Sequence, residues 1–464
     1  MSDPTSLSAA ELGRAIASRL LSPVDAVEAY LARIARLEPK LGAFTEVYEA
    51  DARLAAEGAD RAIRSGHAVG PLHGVPVALK DLVELEGRVT TGGSAAQRTR
   101  LSAVTATIAR RMIGQGMIVL GKTHTVEFAF GGWGLNPHMG TPWNPWDLGT
   151  ARTPGGSSSG SGVAVAARLA PWAIGTDTGG SVRLPASFCG LTGLKVTTGR
   201  ISTYGIIPLS TTLDTPGPMA RSVEDAALLY GVLSGPDPLD PLTRGIVPAD
   251  PSATIGRGVR GMRLARMPRS EWDGVAGNVL EAYERSLATF EALGAEIVDV
   301  AFPFSFADAA RMMNISAVEA YHFNKALVDD PAAPLGEAVR GRILGGAGTL
   351  ASDYFGMRRN MAVMRGQFEA AMEGVDALLT PTTETAALPL AEADEAVLPS
   401  RFTRFGNILE LCSLALPNGL TEAGLPTSLQ ITCRPYEEAT ALRIGQAFQA
   451  ATDWHAKEPQ GLSG

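Results

Sequence analysis

Between residues 114 and 205 the chain holds 19 of its 52 glycines, while 131–182 contains only four charged residues, Asp147, Arg152, Arg168 and Asp177. A flexible linker is solvated, so a glycine-dense, charge-poor stretch reads instead as a set of tight turns buried in a fold. The flanking sequence indicates which fold. Residues 71–81 read as a turn feeding a short buried strand that ends in Lys80 and Asp81. A helical pattern over 105–112 and a buried strand over 117–120 follow, which is the βαβ rhythm of an α/β protein assembling one sheet.

The 464 residues, 45% apolar, are ample for a large core. Lys plus Arg number 40 against 48 Asp plus Glu, a net charge of −8, and there is no Lys/Arg run; a nucleic-acid surface and an anionic membrane partner are not expected. Cys189, Cys412 and Cys433 are far apart and odd in number, which argues against a disulfide framework and for a reducing compartment. The first residues carry early acid and an amphipathic pattern, unlike a secretory signal, and no apolar run nears the ~18 residues of a membrane span. The expectation is a soluble cytoplasmic enzyme.

Ser8 with Glu11, and Ser22-Pro23, are helix starts, so about 1–65 reads as a helical N-terminal segment. A helix over 220–234 stops at Gly235-Pro236, and 236–259 reads as a surface excursion. Strands at 263–265 and 296–300 flank a helix over 276–293. Residues 304–375 form a mostly helical insertion, and 377–381 and 429–431 return as late strands to the same sheet.

Two familiar patterns lack their required context. Residues 116–123 match the phosphate-loop spacing GxxxxGKT, but the four intervening residues are themselves the strand. Residues 156–160 match GxSxG around Ser158, yet no strand precedes them and neither His322 nor His455 sits after one. No HExxH is present and the six His are scattered, so no metal or other cofactor is expected.

What remains is a pair of Gly/Ser turns, 155–162 and 175–183. In the second, Gly179-Gly180 directly before Ser181 lets successive N–H groups point one way, as needed to hold an oxyanion beside a hydroxyl. A base is then required, and Lys80 is available at the end of a buried strand, where desolvation would favour the neutral amine. The plainer alternative is that Lys80 pairs with Asp81.

These residues resemble the amidase signature hydrolases. The match runs through Gly74-Val75-Pro76 with Lys80-Asp81, Gly121-Lys122-Thr123 to Glu127-Phe128, Asn144-Pro145-Trp146 and Gly155-Gly156-Ser157-Ser158. It continues through Gly175-Thr176-Asp177 to Arg183, Pro185-Ala186, Cys189-Gly190, Gly193-Leu194-Lys195, and Gly424-Leu425-Pro426 with Gln430. The resemblance implies one large α/β domain over 1–464, a central mixed sheet covered on both faces by helices. It implies a Ser-cisSer-Lys triad with Ser181 as nucleophile, Ser157 as cis serine and Lys80 as base. The N–H groups of Thr178, Gly179, Gly180 and Ser181 would hold the oxyanion, Asp177 and Arg183 would brace the loop, and Ser158 and Ser159 would add supporting hydrogen bonds.

By the same resemblance the pocket walls come from 130–136, 202–209 and 402–411. Phe130, Gly131, Gly132, Trp133, Tyr204 and Ile207 are the candidate substrate contacts, and their apolar content favours a small aryl or alkyl amide, anilide or urethane. The expected function is amidohydrolysis of a small molecule through an acyl-enzyme on Ser181, with a homodimer as the only macromolecular partner considered for it. The alternative is the amidase-like A subunit of a glutamine-dependent aminoacyl-tRNA amidotransferase. That subunit is similar around 407–417 but generally has an Asp seven residues before the Asn, where this chain has Ser400.

Overall fold

Eleven strands build the molecule in a computed structural model that describes residues 3–248 and 250–462. They are β1 (Phe44–Val47), β2 (Pro76–Lys80), β3 (Ile118–Thr123), β4 (Trp172–Asp177), β5 (Thr192–Lys195), β6 (Thr215–Ala220), β7 (Arg263–Arg266), β8 (Glu296–Val298), β9 (Ala377–Pro381), β10 (Cys412–Leu420) and β11 (Pro426–Cys433). They form one sheet in the order β1-β3-β2-β4-β6-β5-β10-β11-β9-β7-β8.

The sheet is mixed. β2 runs parallel to β3 and β4, and β7 parallel to β8 and β9, while β6, β5, β10 and β11 join these groups through antiparallel pairs. Every residue of β2, β4, β5, β6 and β11 is buried. Side chains alternate between faces along a strand, so both faces of these central strands are covered. The flanking helices supply the cover, among them Ser159–Ala166 against β4, Arg183–Cys189 against β10 and β11, and Glu438–Ala451 against β10. Trp172, fully buried, donates from Nε1 to Pro76 O at 2.8 Å and so ties β4 to β2 at their starts.

The N-terminal segment is not wholly helical: between helices Pro23–Leu41 and Glu49–Arg64 the chain adds β1 to the edge of the sheet. Residues 304–375 are carried mainly by helices Asn314–Val328, Glu337–Leu344 and Ala351–Ala371. All but the first two residues of the phosphate-loop pattern fall inside β3, whose last three residues are Gly121, Lys122 and Thr123, so no phosphate-wrapping loop exists there. No helix among the described residues is long and apolar enough to cross a membrane.

Candidate active site

Lys80 is the last residue of β2, where the parallel strands end and loops take over. It is completely buried, and its Nζ donates to Ser157 Oγ at 2.7 Å and to Thr176 Oγ1 at 2.8 Å. Burial pushes its pKa down to about 7, with the charges of Asp214 and Asp177 opposing that fall. The Lys80–Asp81 pair does not form. Successive strand residues point to opposite faces, and Asp81 meets Lys122 at 3.4 Å and the Thr91 N–H at 3.1 Å instead.

Ser157 follows a cis peptide from Gly156. Gly156 has no room for a side chain, since a Cβ there would lie 2.8 Å from Gly134 N and 2.9 Å from Val126 Cγ2. The turn is clamped to 125–134: Gly156 N–H donates to Gly132 O at 2.7 Å, and Ser157 O accepts from Val126 N–H and Thr125 Oγ1 at 3.0 Å each.

Asp177 and Arg183 organise the loop that carries Ser181. Both are fully buried, and the guanidinium meets the carboxylate through Nε and Nη2 at 2.9 Å each. Arg183 also donates to Thr403 O, Gln430 Oε1 and Asn407 Oδ1, and Asn407 Nδ2 donates to Asp177 Oδ1 at 2.8 Å. Burial alone would raise the Asp177 pKa, but the Arg183 charge holds it well below the usual carboxylate range.

The same carboxylate takes the Gly180 N–H at 2.7 Å and the Val182 N–H at 3.2 Å. This corrects the expected set of four oxyanion donors, because the Gly180 amide is already committed. Thr178, Gly179 and Ser181 keep N–H groups with no acceptor among the described residues. Ser181 retains 6% of its surface, whereas Ser157, Ser158 and Ser159 retain none, so Ser181 is the serine open to a ligand. It faces a cavity of about 300 Å³ together with Thr178 and Gly179.

Ser158 spans the two loops: its N–H donates to Ser181 O at 3.3 Å, and its hydroxyl donates to Thr176 O at 3.3 Å and accepts from Thr176 N–H at 3.2 Å. Ser159 Oγ has no partner among the described residues, so it gives none of the support expected of it.

Of the candidate substrate contacts, Phe130, Gly131 and Gly132 line the cavity. Trp133, Tyr204 and Ile207 do not. The Trp133 ring stacks on Phe188 at 5.9 Å and its Nε1 reaches Asp394 O and Val397 O, each at 2.9 Å. Tyr204 lies under the Arg110 guanidinium, and Ile207 packs on the apolar cluster around Phe128 and Leu82, behind the cavity wall. Nor is the wall apolar throughout, since Arg342, Glu395 and Arg404 stand on it. Sequence reasoning missed Thr176 as the second partner of Lys80, although it lies in the quoted Gly175-Thr176-Asp177 run. Thr403 and Arg404 lie in the 402–411 segment expected as a pocket wall, with no role assigned to either, and Arg404 lines the cavity.

A hydroxyl facing free amide donors, backed by a buried lysine on a second hydroxyl, is the equipment of an enzyme acting on amide C–N bonds. The comparisons agree. The family model described as Amidase matches residues 25–442, and the chain belongs to that family. It is 36% identical over 481 residues to the A subunit of glutamyl-tRNA(Gln) amidotransferase from Halorhodospira halophila, covering 98% of this chain and 99% of that one. The protein of the same name in Myxococcus xanthus is 37% identical, with 97% and 98% covered. Among solved structures, the peptide amidase of Stenotrophomonas maltophilia superposes with a TM-score of 0.86 at 30% identity over 98% of this chain and 99% of that one. A bacterial aryl acylamidase of the amidase signature family gives a TM-score of 0.88 at 26% identity, with 97% and 98% covered.

Proposed function

We propose that the chain hydrolyses a carboxamide C–N bond through an acyl-enzyme on Ser181, with Lys80 as base and Ser157 as the proton carrier between them. The observation that carries this reading is the fully buried Lys80 amine 2.7 Å from the Ser157 hydroxyl, with no carboxylate in contact among the described residues to hold its proton. Neutral Lys80 accepts a proton from Ser157, which takes one from Ser181 as that oxygen attacks the carbonyl carbon. The Thr178, Gly179 and Ser181 amides face the developing oxyanion, and one such donor is worth about 3 kcal/mol. Collapse expels the nitrogen, which takes the proton back by way of Ser157. Water then repeats the sequence, releasing the acid and restoring Ser181.

A second reading has the curated relatives behind it. Proteins 34–37% identical over nearly the whole chain are named as the A subunit of glutamyl-tRNA(Gln) amidotransferase, which favours an ammonia-supplying role over a free-standing aryl or alkyl amidase. The cavity favours the free-standing enzyme: Ser400 stands on its wall, and Glu395, the one carboxylate among the described lining residues, is held by Arg342. Neither feature offers an acid for the ammonium group of glutamine. The deciding experiment is a hydrolysis screen of amides, anilides, urethanes and ureas with L-glutamine as one arm, run with the chain alone and with a candidate partner protein. Turnover of glutamine alone, and only with the partner, would establish the second reading.

A further inference from the structure

Two arginines, Arg342 and Arg404, line the Ser181 cavity; Arg342 is satisfied, as is Arg401 at the start of the helix that carries Arg404. Arg342 donates to Phe130 O and to the Glu395 carboxylate at 2.6 Å each, and Arg401 donates to Asp273 O, Glu271 O and the Glu271 carboxylate. Arg404 is different: it is half-buried on the cavity wall, yet its guanidinium makes no hydrogen bond or ion pair with any described residue. Its stem lies over the Ser181 loop, where a methyl group on Gly179 would stand 3.7 Å from Arg404 Cγ. Burial and then the neighbouring Arg342 charge lower its proton affinity, which Glu384 only partly offsets.

One helical turn earlier, Ser400 is 3% exposed, lines the same cavity and has a buried Oγ without a partner. The Arg404 N–H donates to Ser400 O at 3.0 Å, which fixes the two residues on one turn. An unpaired guanidinium and an orphaned hydroxyl in one half-buried wall are costly when empty and well suited to a planar anion.

We infer that this wall takes a substrate carboxylate, so that the amide cleaved at Ser181 is an amido acid carrying a negative charge and no ammonium group. Glu395 is committed to Arg342, which leaves no described carboxylate on the wall for an ammonium. The inference rests on the amidase reading above and replaces the neutral aryl or alkyl substrate with a charged one.

The test compares succinamate, glutaramate, butyramide and L-glutamine with the full chain, Arg404→Met and Arg404→Lys. Wild-type kcat/KM for the better amido acid should exceed that for butyramide by about 30-fold or more. This ratio should fall to within about threefold in Arg404→Met and recover in part in Arg404→Lys. Because it is taken within one preparation, loss of folded protein cancels. A ratio unchanged in Arg404→Met, or a wild-type preference for butyramide or for glutamine over glutaramate, overturns the inference while leaving the amidase reading intact. If no amide is turned over, the amidase reading fails, and calorimetric binding of succinate and glutarate still judges the site. Binding about 30-fold weaker in Arg404→Met supports it, and absent or equal binding overturns it.

Discussion

Lys80 Nζ and Thr176 Oγ1 are hydrogen-bonded at 2.8 Å across neighbouring parallel strands, β2 and β4. The bond gives the lysine an acceptor that is indifferent to its protonation state. As an ammonium, Nζ donates to both Thr176 and Ser157; as a neutral amine it can keep Thr176 and turn its lone pair to the Ser157 hydroxyl. The strand pairing therefore aims the lysine amine as well as burying it.

Since only the neutral amine can accept a proton, kcat/KM should rise with pH through an apparent pKa near 7 and stay high in alkaline buffer. The rising limb follows from the sign of the shift: burial moves the lysine below its ordinary value, so the active form gains as protons are lost. A pH–rate profile checks it, and Lys80→Ala should lose about 10²–10⁴-fold and the limb with it.

A fluorophosphonate probe should label Ser181 and leave Ser158 untouched, because Ser181 retains exposed surface at the cavity and Ser158 retains none. Peptide mass spectrometry separates the two. Ser181→Ala should abolish labelling and turnover, and Ser157→Ala should cost about 10²–10⁴-fold in kcat. Ser158→Ala, which loses only hydrogen bonds to Thr176, should cost less than either.

Gly179→Ala and Gly180→Ala should differ sharply in stability. A Cβ at Gly180 would lie 2.3 Å from Thr403 Oγ1, on a backbone with φ of +133°. At Gly179 the nearest atom would be the flexible Met313 Cε at 3.0 Å. Denaturant unfolding should find Gly180→Ala destabilised by about 1–3 kcal/mol and Gly179→Ala by less.

Arg183→Met should destabilise by about 3–5 kcal/mol, since it leaves the Asp177 carboxylate buried without its counter-charge. Thermal and denaturant melts measure this, and Asp177→Asn with Arg183→Met together should cost less than the sum of the two single changes.

The placement of the candidate residues Lys80, Ser157 and Ser181 was more legible in the sequence than the walls around them. Lys80, Ser157 and Ser181 lie in short runs whose glycines mark the turns that carry them, and β2, β3, β9 and β11 announce themselves as apolar runs. β6 was invisible for the opposite reason: Thr215–Ala220 contains Pro216, Gly217 and Pro218, residues that oppose strand formation until neighbours on both sides impose it. The amide of Gly180 read as a free donor because nothing local reveals that the Asp177 carboxylate turns back to take it. Trp133 read as a pocket wall through the family resemblance, but its ring is drawn to Phe188 and to carbonyls more than 260 positions away. Arg404 carries no motif at all, and its significance lies in an absence of partners that only the folded chain defines.

The clamp on the Ser181 loop is closed by residues that are made late in synthesis. Arg183 is satisfied by Thr403, Asn407 and Gln430, so its partners leave the ribosome more than 200 residues after it. At about 5–20 residues per second that interval lasts on the order of ten to fifty seconds. During it the nascent chain already carries Lys80, Ser157, Ser181 and the Asp177–Arg183 pair, but Arg183 still lacks its Thr403, Asn407 and Gln430 partners. The bracing of the Ser181 loop is thus complete only once Gln430, in the last strand, has been made.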